Sequence, residues 1–372
     1  VSRALTFYEF FAGGGMARTG LGPLWTCLLA NDFDPLKTAT YAANFGDAHL
    51  KSGDVFDLSA ADLPGQADLA WASSPCQDFS LAGKRAGLAG GRSSAFFGFW
   101  TLMQALGRQG RAPAVIVVEN VVGMLTANGG ADFTALCQAL ADEGYVFGAL
   151  EIDARGFVPQ SRPRVFVVAV RGEAPAALIG ASPFRTPAIL KAQARLPAVL
   201  ARSWRNWRLA APPSRNTDLI DLLEPDHAVA WHEPESTQRW LDLMSPAHRA
   251  QVEARRDGER QVGAMFRRMR GAEQRVEVRF DGLAGCLRTP GGGSSRQAVV
   301  VVGGGSARTR LLNAREGARL MGLGGDYRLP TGEVAALKVI GDGVAAPVAG
   351  WLARGLIEPL AQAARIHSLA AD

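Results

Sequence analysis

Cys76 stands in Ser74-Pro75-Cys76-Gln77, between a proline and a glutamine, where an apolar run ends and a glycine-rich loop begins. A structural cysteine prefers apolar neighbours on a regular element, so a cysteine here is a candidate nucleophile. Its thiolate needs positive charge or a helix N-terminus nearby. Lys84, Arg85 and Arg92 supply charge in a loop that Gly83, Gly87, Gly90 and Gly91 would make mobile. An inert, half-buried thiol is the competing reading. Glu119, in Val118-Glu119-Asn120-Val121, puts a carboxylate at the tip of another apolar run, which is costly unless it is solvated, caps a helix or is used as an acid. Gln160, Arg162 and Arg164 alternate in an extended segment, so they would share one face as a cationic comb, unless they are ordinary surface residues. A thiol, a carboxylic acid and fixed cations are the parts that nucleophilic catalysis with proton transfer requires.

A second group points to a cofactor. Gly13-x-Gly15 follows the first strand-like run, and small residues there let a ligand approach the backbone and the next helix's free N–H groups. Arg18 occupies the place of the third glycine of the dinucleotide fingerprint, which disfavours NAD and FAD. Asp32 closes the second run and suits ribose hydroxyls. Asp54 follows a third and suits an adenine amino group. A glycine loop followed by two strand-end acids is the usual way to hold S-adenosylmethionine; a tight βα turn with two helix caps is the alternative.

The elements that must position these groups read as βαβ units. Residues 5–11, 25–30, 67–72, 114–118 and 164–170 read as strands, and a helix opens at Met16. Near-continuous apolar strands imply a parallel sheet buried on both faces. The expected fold is α/β, a doubly wound Rossmann-like domain followed by a smaller one. The rhythm stops after about Glu173, and the next hundred residues hold most tryptophans and many arginines. Residues 311–320 read as a helix, and 337–360 as a glycine turn followed by a long amphipathic helix. The expected division is 1–174 for catalysis and cofactor, 175–330 for substrate, and 331–372 returning to the large domain.

The 372 residues are 48% hydrophobic, ample for a core, and the net charge of +5 is compatible with nucleic acid without deciding for it. No apolar run approaches the roughly 20 residues of a membrane span, and no signal peptide is visible. Four cysteines without a CxxC pair argue against zinc and against a disulfide scaffold, so no metal is expected and a reducing cytoplasm is.

Taken in order, Phe11-Ala12-Gly13-x-Gly15, Pro75-Cys76-Gln77, Glu119-Asn120-Val121 and Gln160-x-Arg162-x-Arg164 strongly resemble the DNA cytosine-C5 methyltransferases. Arg288-Thr289-Pro290 with the Gly/Ser stretch after it, then Arg315-Glu316-x-x-Arg319-Leu320-Met321-Gly322, resemble that family's ninth motif. Gly341-Asp342-Gly343-Val344 with Pro347 resembles its tenth. The resemblance spans the chain except roughly 175–280. It implies an S-adenosylmethionine-dependent methyltransferase acting on C5 of a flipped-out cytosine in a short sequence of double-stranded DNA. Cys76 would add to C6, Glu119 would hold or protonate N3, Arg164 would bind the carbonyl oxygen and Arg162 would support the site. The base that removes the C5 proton is not named by the sequence. Phe11, Gly13, Gly15, Asp32, Phe33, Asp54, Pro75, Asp342 and Val344 are the implied cofactor residues. Gln77, Ser80, Lys84 and Arg85 would meet DNA, as would Arg267, Arg268 and Arg270 in the arginine-rich segment where the family reads sequence. Glu9, Asp32 and Asp342 depart from the Asp, Glu and Asn usual at their motif positions.

A monomer in a bacterial cytoplasm or nucleoid is expected; membership of a restriction-modification pair and a solitary regulatory role both stay open, and a companion endonuclease is not legible. Two rivals keep part of this picture: the same chemistry on transfer RNA, and a silent DNA-binding regulator.

Overall fold

The computed structural model describes residues 4–74, 95–289 and 296–371. Two compact units emerge. The first comprises Val1–Asp153, Pro163–Pro212 and Val348–Asp372, and the second Ala154–Arg162 and Pro213–Pro347.

The first unit is built on a seven-stranded sheet: β1 (Leu5–Phe10), β2 (Trp25–Asp32), β3 (Leu50–Ser52), β4 (Leu69–Ala72), β5 (Val115–Val121), β6 (Tyr145–Asp153) and β7 (Pro163–Arg171). The order is β3-β2-β1-β4-β5-β7-β6. Strands β1 to β5 pair in parallel. Strand order reverses between β1 and β4, the switch point outside whose carboxyl ends open α/β sheets bind ligands. Strand β7 is antiparallel to both neighbours, which corrects the all-parallel expectation. Only nine residues join β6 to β7, too few for the helical crossover a parallel pair needs.

Helices α1 (Met16–Leu21), α2 (Pro35–Phe45), α3 (Ala95–Arg108) and α4 (Ala131–Asp142) follow β1, β2, β4 and β5. Pro35 stands at the first position of α2, and the Asp34 side chain accepts from the Leu36 and Lys37 amides, as an N-cap does. On α3, Phe96, Phe99, Trp100, Met103 and Leu106 repeat at helical spacing and are buried. They pack into one core with β1, where Phe10 and Phe99 meet edge-on with centroids 5.0 Å apart.

The chain after β7 stays with the first unit as far as Pro212, whereas the sequence boundary lay at 174/175. Trp204 and Trp207 explain this. Both are buried, Trp207 donates its indole N–H to Val168 O at 2.9 Å, and Phe147 N–H bonds Ser203 O. Gly148 lets that segment approach, since a Cβ there would lie 2.0 Å from Arg205 O. The final helix, Glu358–Ala371, also belongs to this unit. Arg365 donates to both Asp68 oxygens, at 2.5 and 2.6 Å, and Trp25 donates to Glu358 at 3.2 Å.

The second unit holds an antiparallel sheet ordered β11-β10-β8-β9: β8 (Gln261–Arg270), β9 (Glu273–Arg279), β10 (Ala298–Gly303) and β11 (Ser306–Leu311). Trp240, Met244, Val252, Met265, Val276, Val278, Val300 and Val302 form its core. The helix expected over 311–320 starts at Ala314, where Asn313 and Glu316 make a reciprocal capping box. The long helix expected over 337–360 is Glu333–Asp342, a break at 343–345, then Ala346–Leu352 and onward. The stretch Glu333–Ile366 is apolar enough to cross a membrane by length and composition, but 61% of its apolar window is buried, as in the core helices of globular folds.

Candidate active site

The loop after β1 is clamped by the end of β2. Ala12 N–H bonds Asn31 O at 3.0 Å, and Gly13 N–H bonds Asp32 Oδ2 at 2.8 Å. The other Asp32 oxygen accepts from Asp34 N–H at 2.9 Å. Phe11 is held at φ +55°, a conformation that bulky residues rarely adopt. Gly15, at φ +79°, ends the turn and caps α1, and a Cβ there would strike the Phe45 ring at 2.4 Å. Burial pushes the Asp32 carboxyl above the usual range; the amides of Asp34 and Gly13 and the Lys37 charge oppose that shift.

Beneath this loop lies a buried polar cluster. Glu9 is 1% exposed and accepts the Arg18 N–H at 3.4 Å. Burial pushes its carboxyl up to about 8, with Arg18 opposing. Arg18 donates to Tyr41 and His49 and lies 4.5 Å over the Phe45 ring. Burial, and then the Glu9 charge, push the Cys27 thiol up to about 12, so that cysteine is inert.

The ends of β2 and β3 adjoin, with Asn31 donating its amide to Lys51 O and Gly53 O. Asp54 is exposed and accepts from Phe56 N–H at 3.1 Å. Phe33 and Phe56, just after the two acids, are 58% and 55% exposed. Two carboxylates with remaining lone pairs and two bare aromatic faces at one sheet edge fit a purine nucleoside: acceptors for ribose and adenine, apolar surface for the base. Phe56 was missed in the sequence, although it stands beyond Asp54 much as Phe33 follows Asp32.

At the adjoining edge, Glu119 and Arg164 meet. Strand β5 ends beside the start of β7, with Val121 opposite Arg164. Arg164 Nε lies 3.2 Å from Glu119 Oε1, and Arg164 also donates to Pro163 O. Asn120, 3% exposed, donates to Ser74 O at 3.0 Å while its own oxygen takes Val121 N–H. That bond ties β5 to the residue just before the 75–94 stretch. No role for Asn120 was legible in the sequence. Pro75, Cys76, Gln77, Ser80, Lys84 and Arg85 lie outside the described residues.

The cationic comb does not form. Gln160 and Ser161 run beside Ala284 rather than within β7. Arg162, 1% exposed, donates to the Leu287, Gly341 and Gly343 carbonyls at 2.9, 2.9 and 2.6 Å, a cage of dipoles for a buried cation. Asp342 and Val344 sit in the same unit, Asp342 accepting from Thr289 and Val344 buried. Arg267 lies 4.1 Å over the Trp240 ring, and Arg268 and Arg270 both pair with Glu277.

Residues 5–358 match the model of the C-5 cytosine-specific DNA methylase family. The Type II methyltransferase M.BsuFI of Bacillus subtilis is 34% identical over 166 residues, 44% of this chain and 39% of the relative. M.HhaI of Haemophilus parahaemolyticus is 25% identical over 94% of this chain and 93% of its own length. The matches to M.BsuFI, M.HpaII and M.HaeII each span less than half of those relatives. In fold, the S. pombe Dnmt2 methyltransferase superposes with a TM-score of 0.61 at 16% identity, covering 96% of this chain and 99% of that one. With the family's model matched from the first strand to the start of the last helix, the chain belongs to the C-5 cytosine-specific DNA methylases.

Proposed function

We propose that the chain transfers a methyl group from S-adenosylmethionine to C5 of cytosine in double-stranded DNA, through an adduct between Cys76 and C6. The Glu119–Arg164 pair carries the reading: an acid and a cation held at one sheet edge, tied through Asn120 to the segment that bears Cys76. The Cys76 sulfur adds to C6 while Glu119 holds or protonates N3, which draws the ring electrons away and leaves C5 as the nucleophilic carbon. Arg164 fixes Glu119 and offers its remaining donors to the carbonyl oxygen. Loss of the C5 proton then expels the thiolate. S-adenosylmethionine, when bound, supplies the electrophilic methyl; Asp32, Asp54, Phe33, Phe56 and the clamped glycine loop hold its nucleoside. The target carbon lies within the stack, so the cytosine is flipped out, at a cost of a few kcal/mol. The second unit, with its arginine-rich sheet, recognises the DNA.

The test is incubation with labelled S-adenosylmethionine and unmethylated duplex, or separately transfer RNA, with products mapped at base resolution. Label at C5 of cytosine within one short DNA sequence is expected, and Cys76→Ala should abolish it while cofactor binding persists. Label confined to RNA would replace the substrate. Turnover by Cys76→Ala would remove that residue from the mechanism.

A further inference from the structure

On one face the β8–β9 hairpin sets three arginines against two glutamates, Glu277 pairing with Arg268 and Arg270 and Glu273 with Arg275. The strands are joined by Gly271 and Ala272, and near the tip Arg268 stands directly opposite Arg275. Like charges in that position destabilise a strand pair. Alternation puts Arg268, Arg270, Glu273, Arg275 and Glu277 on one face and Arg267, Met269 and Gln274 on the other. On the charged face one carboxylate serves two guanidiniums. Arg268 Nε lies 2.9 Å from Glu277 Oε2, and Arg270 Nε donates to Glu277 Oε1 at 2.9 Å. Their side chains nevertheless remain 46% and 65% exposed. Glu277 thus fixes the two guanidiniums without covering them.

Residues two apart on a strand are spaced by about 6.6–6.8 Å. Base pairs stack every 3.4 Å or so, making two steps the same length. A two-stranded ribbon fits the major groove, and arginine there is the commonest reader of the guanine O6/N7 edge. We infer that the β8–β9 hairpin enters the major groove of duplex DNA and that Arg268 and Arg270, spaced by Glu277, read guanines two base-pair steps apart. The inference rests on the DNA reading above and names its specificity element. Glu277 acts as a positioning residue: it sets the pair's spacing and offsets part of the charge that would hold the hairpin on any sequence.

The experiment is binding selection from a randomised duplex library, with no methyl transfer needed, so it stands or falls apart from the catalytic reading. The whole chain should enrich a motif containing guanines two steps apart. Arg268→Ala and Arg270→Ala should each relax one of those positions by roughly 5- to 150-fold, and the two positions should differ. Glu277→Gln should raise affinity for unrelated duplex and steepen its salt dependence. Met269→Ala, on the opposite face and 61% exposed, should leave the profile unchanged. A uniform loss of affinity in the arginine variants with an unchanged profile would make them phosphate contacts and overturn the inference. So would an unaltered profile, or no enrichment by the parent protein.

Discussion

Arg164 and Glu119 pair diagonally on one face of the antiparallel β5–β7 ladder, Nε to Oε1 at 3.2 Å, with only 16% and 7% of their side chains exposed. The antiparallel β7 makes this meeting possible, because it brings the start of one strand beside the end of the other. Glu119→Ala leaves a shielded cation without its carboxylate, and breaking such a pair costs up to about 3–5 kcal/mol. Glu119→Gln keeps the shape and an acceptor and should cost less. Both should lower kcat at least 10²-fold, the scale of a general acid. Urea denaturation with steady-state kinetics separates the effects; a Gln variant with normal kcat would deny Glu119 its role as acid.

Asn120→Ala removes the buried donor to Ser74 O. An unsatisfied buried carbonyl costs about 1–3 kcal/mol. Because Ser74 leads into the segment of Cys76, kcat should fall further than the stability loss explains, with cofactor affinity unchanged. An equal loss of kcat and cofactor affinity would mark a general structural role instead.

Glu9 gives the stability of the first unit a pH dependence. Burial raises its carboxyl from an ordinary 4.5 to about 8. Between those values the folded chain binds more protons than the unfolded one, so this contribution is fully present below about 4.5. It is lost as pH rises and levels off above 8. Glu9→Gln, which cannot ionise, should flatten that slope and be the more stable protein at pH 8 by a few kcal/mol. Thermal unfolding from pH 5 to 8.5 checks this; parallel curves for the two proteins would show that Glu9 does not titrate there.

Gly148→Ala meets backbone, with a Cβ 2.0 Å from Arg205 O and 2.9 Å from the Trp207 ring. Flexible side chains cannot absorb that clash. The loss should reach or exceed the roughly 1–3 kcal/mol of ordinary overpacking, read as a fall in denaturation midpoint with tryptophan fluorescence reporting Trp204 and Trp207. Wild-type stability would mean that the 203–207 segment does not lie against β6.

Strands β1 and β5 were legible because each is a buried apolar run. Strand β7 was legible as a strand, but its direction follows from the length of the β6–β7 connection, and β6 itself went unread. In the second unit, Val276 and Val278 alternate with charge along β9, and β10 is nearly all valine, so a signal existed; the abundance of arginine masked it. The site followed the same pattern. Glu119 and Arg164 stood out as charges at the edges of apolar runs, and the structure brings them together. Arg162 fits the same local pattern as Arg164, and only long-range contacts separate them: the pairing of the preceding Gln160 with Ala284, and the Arg162 bonds to the Gly341 and Gly343 carbonyls. Asn120 acts through a bond to a residue 46 positions away, which no local spacing encodes.

The closing helix of the first unit has a consequence for how the protein is made. Asp68 meets Arg365 across 297 residues of chain, and Trp25 meets Glu358 across 333. The second unit is complete by Pro347, whereas the first still lacks Val348 onward. During translation the half that begins first is therefore finished last. Its sheet waits for a helix still inside the ribosome, and loop closure over such distances is slow. Chaperone dependence and aggregation of nascent chains should concentrate in that waiting interval, and a released chain truncated near residue 347 would hold all of the second unit's sequence but only an open first unit.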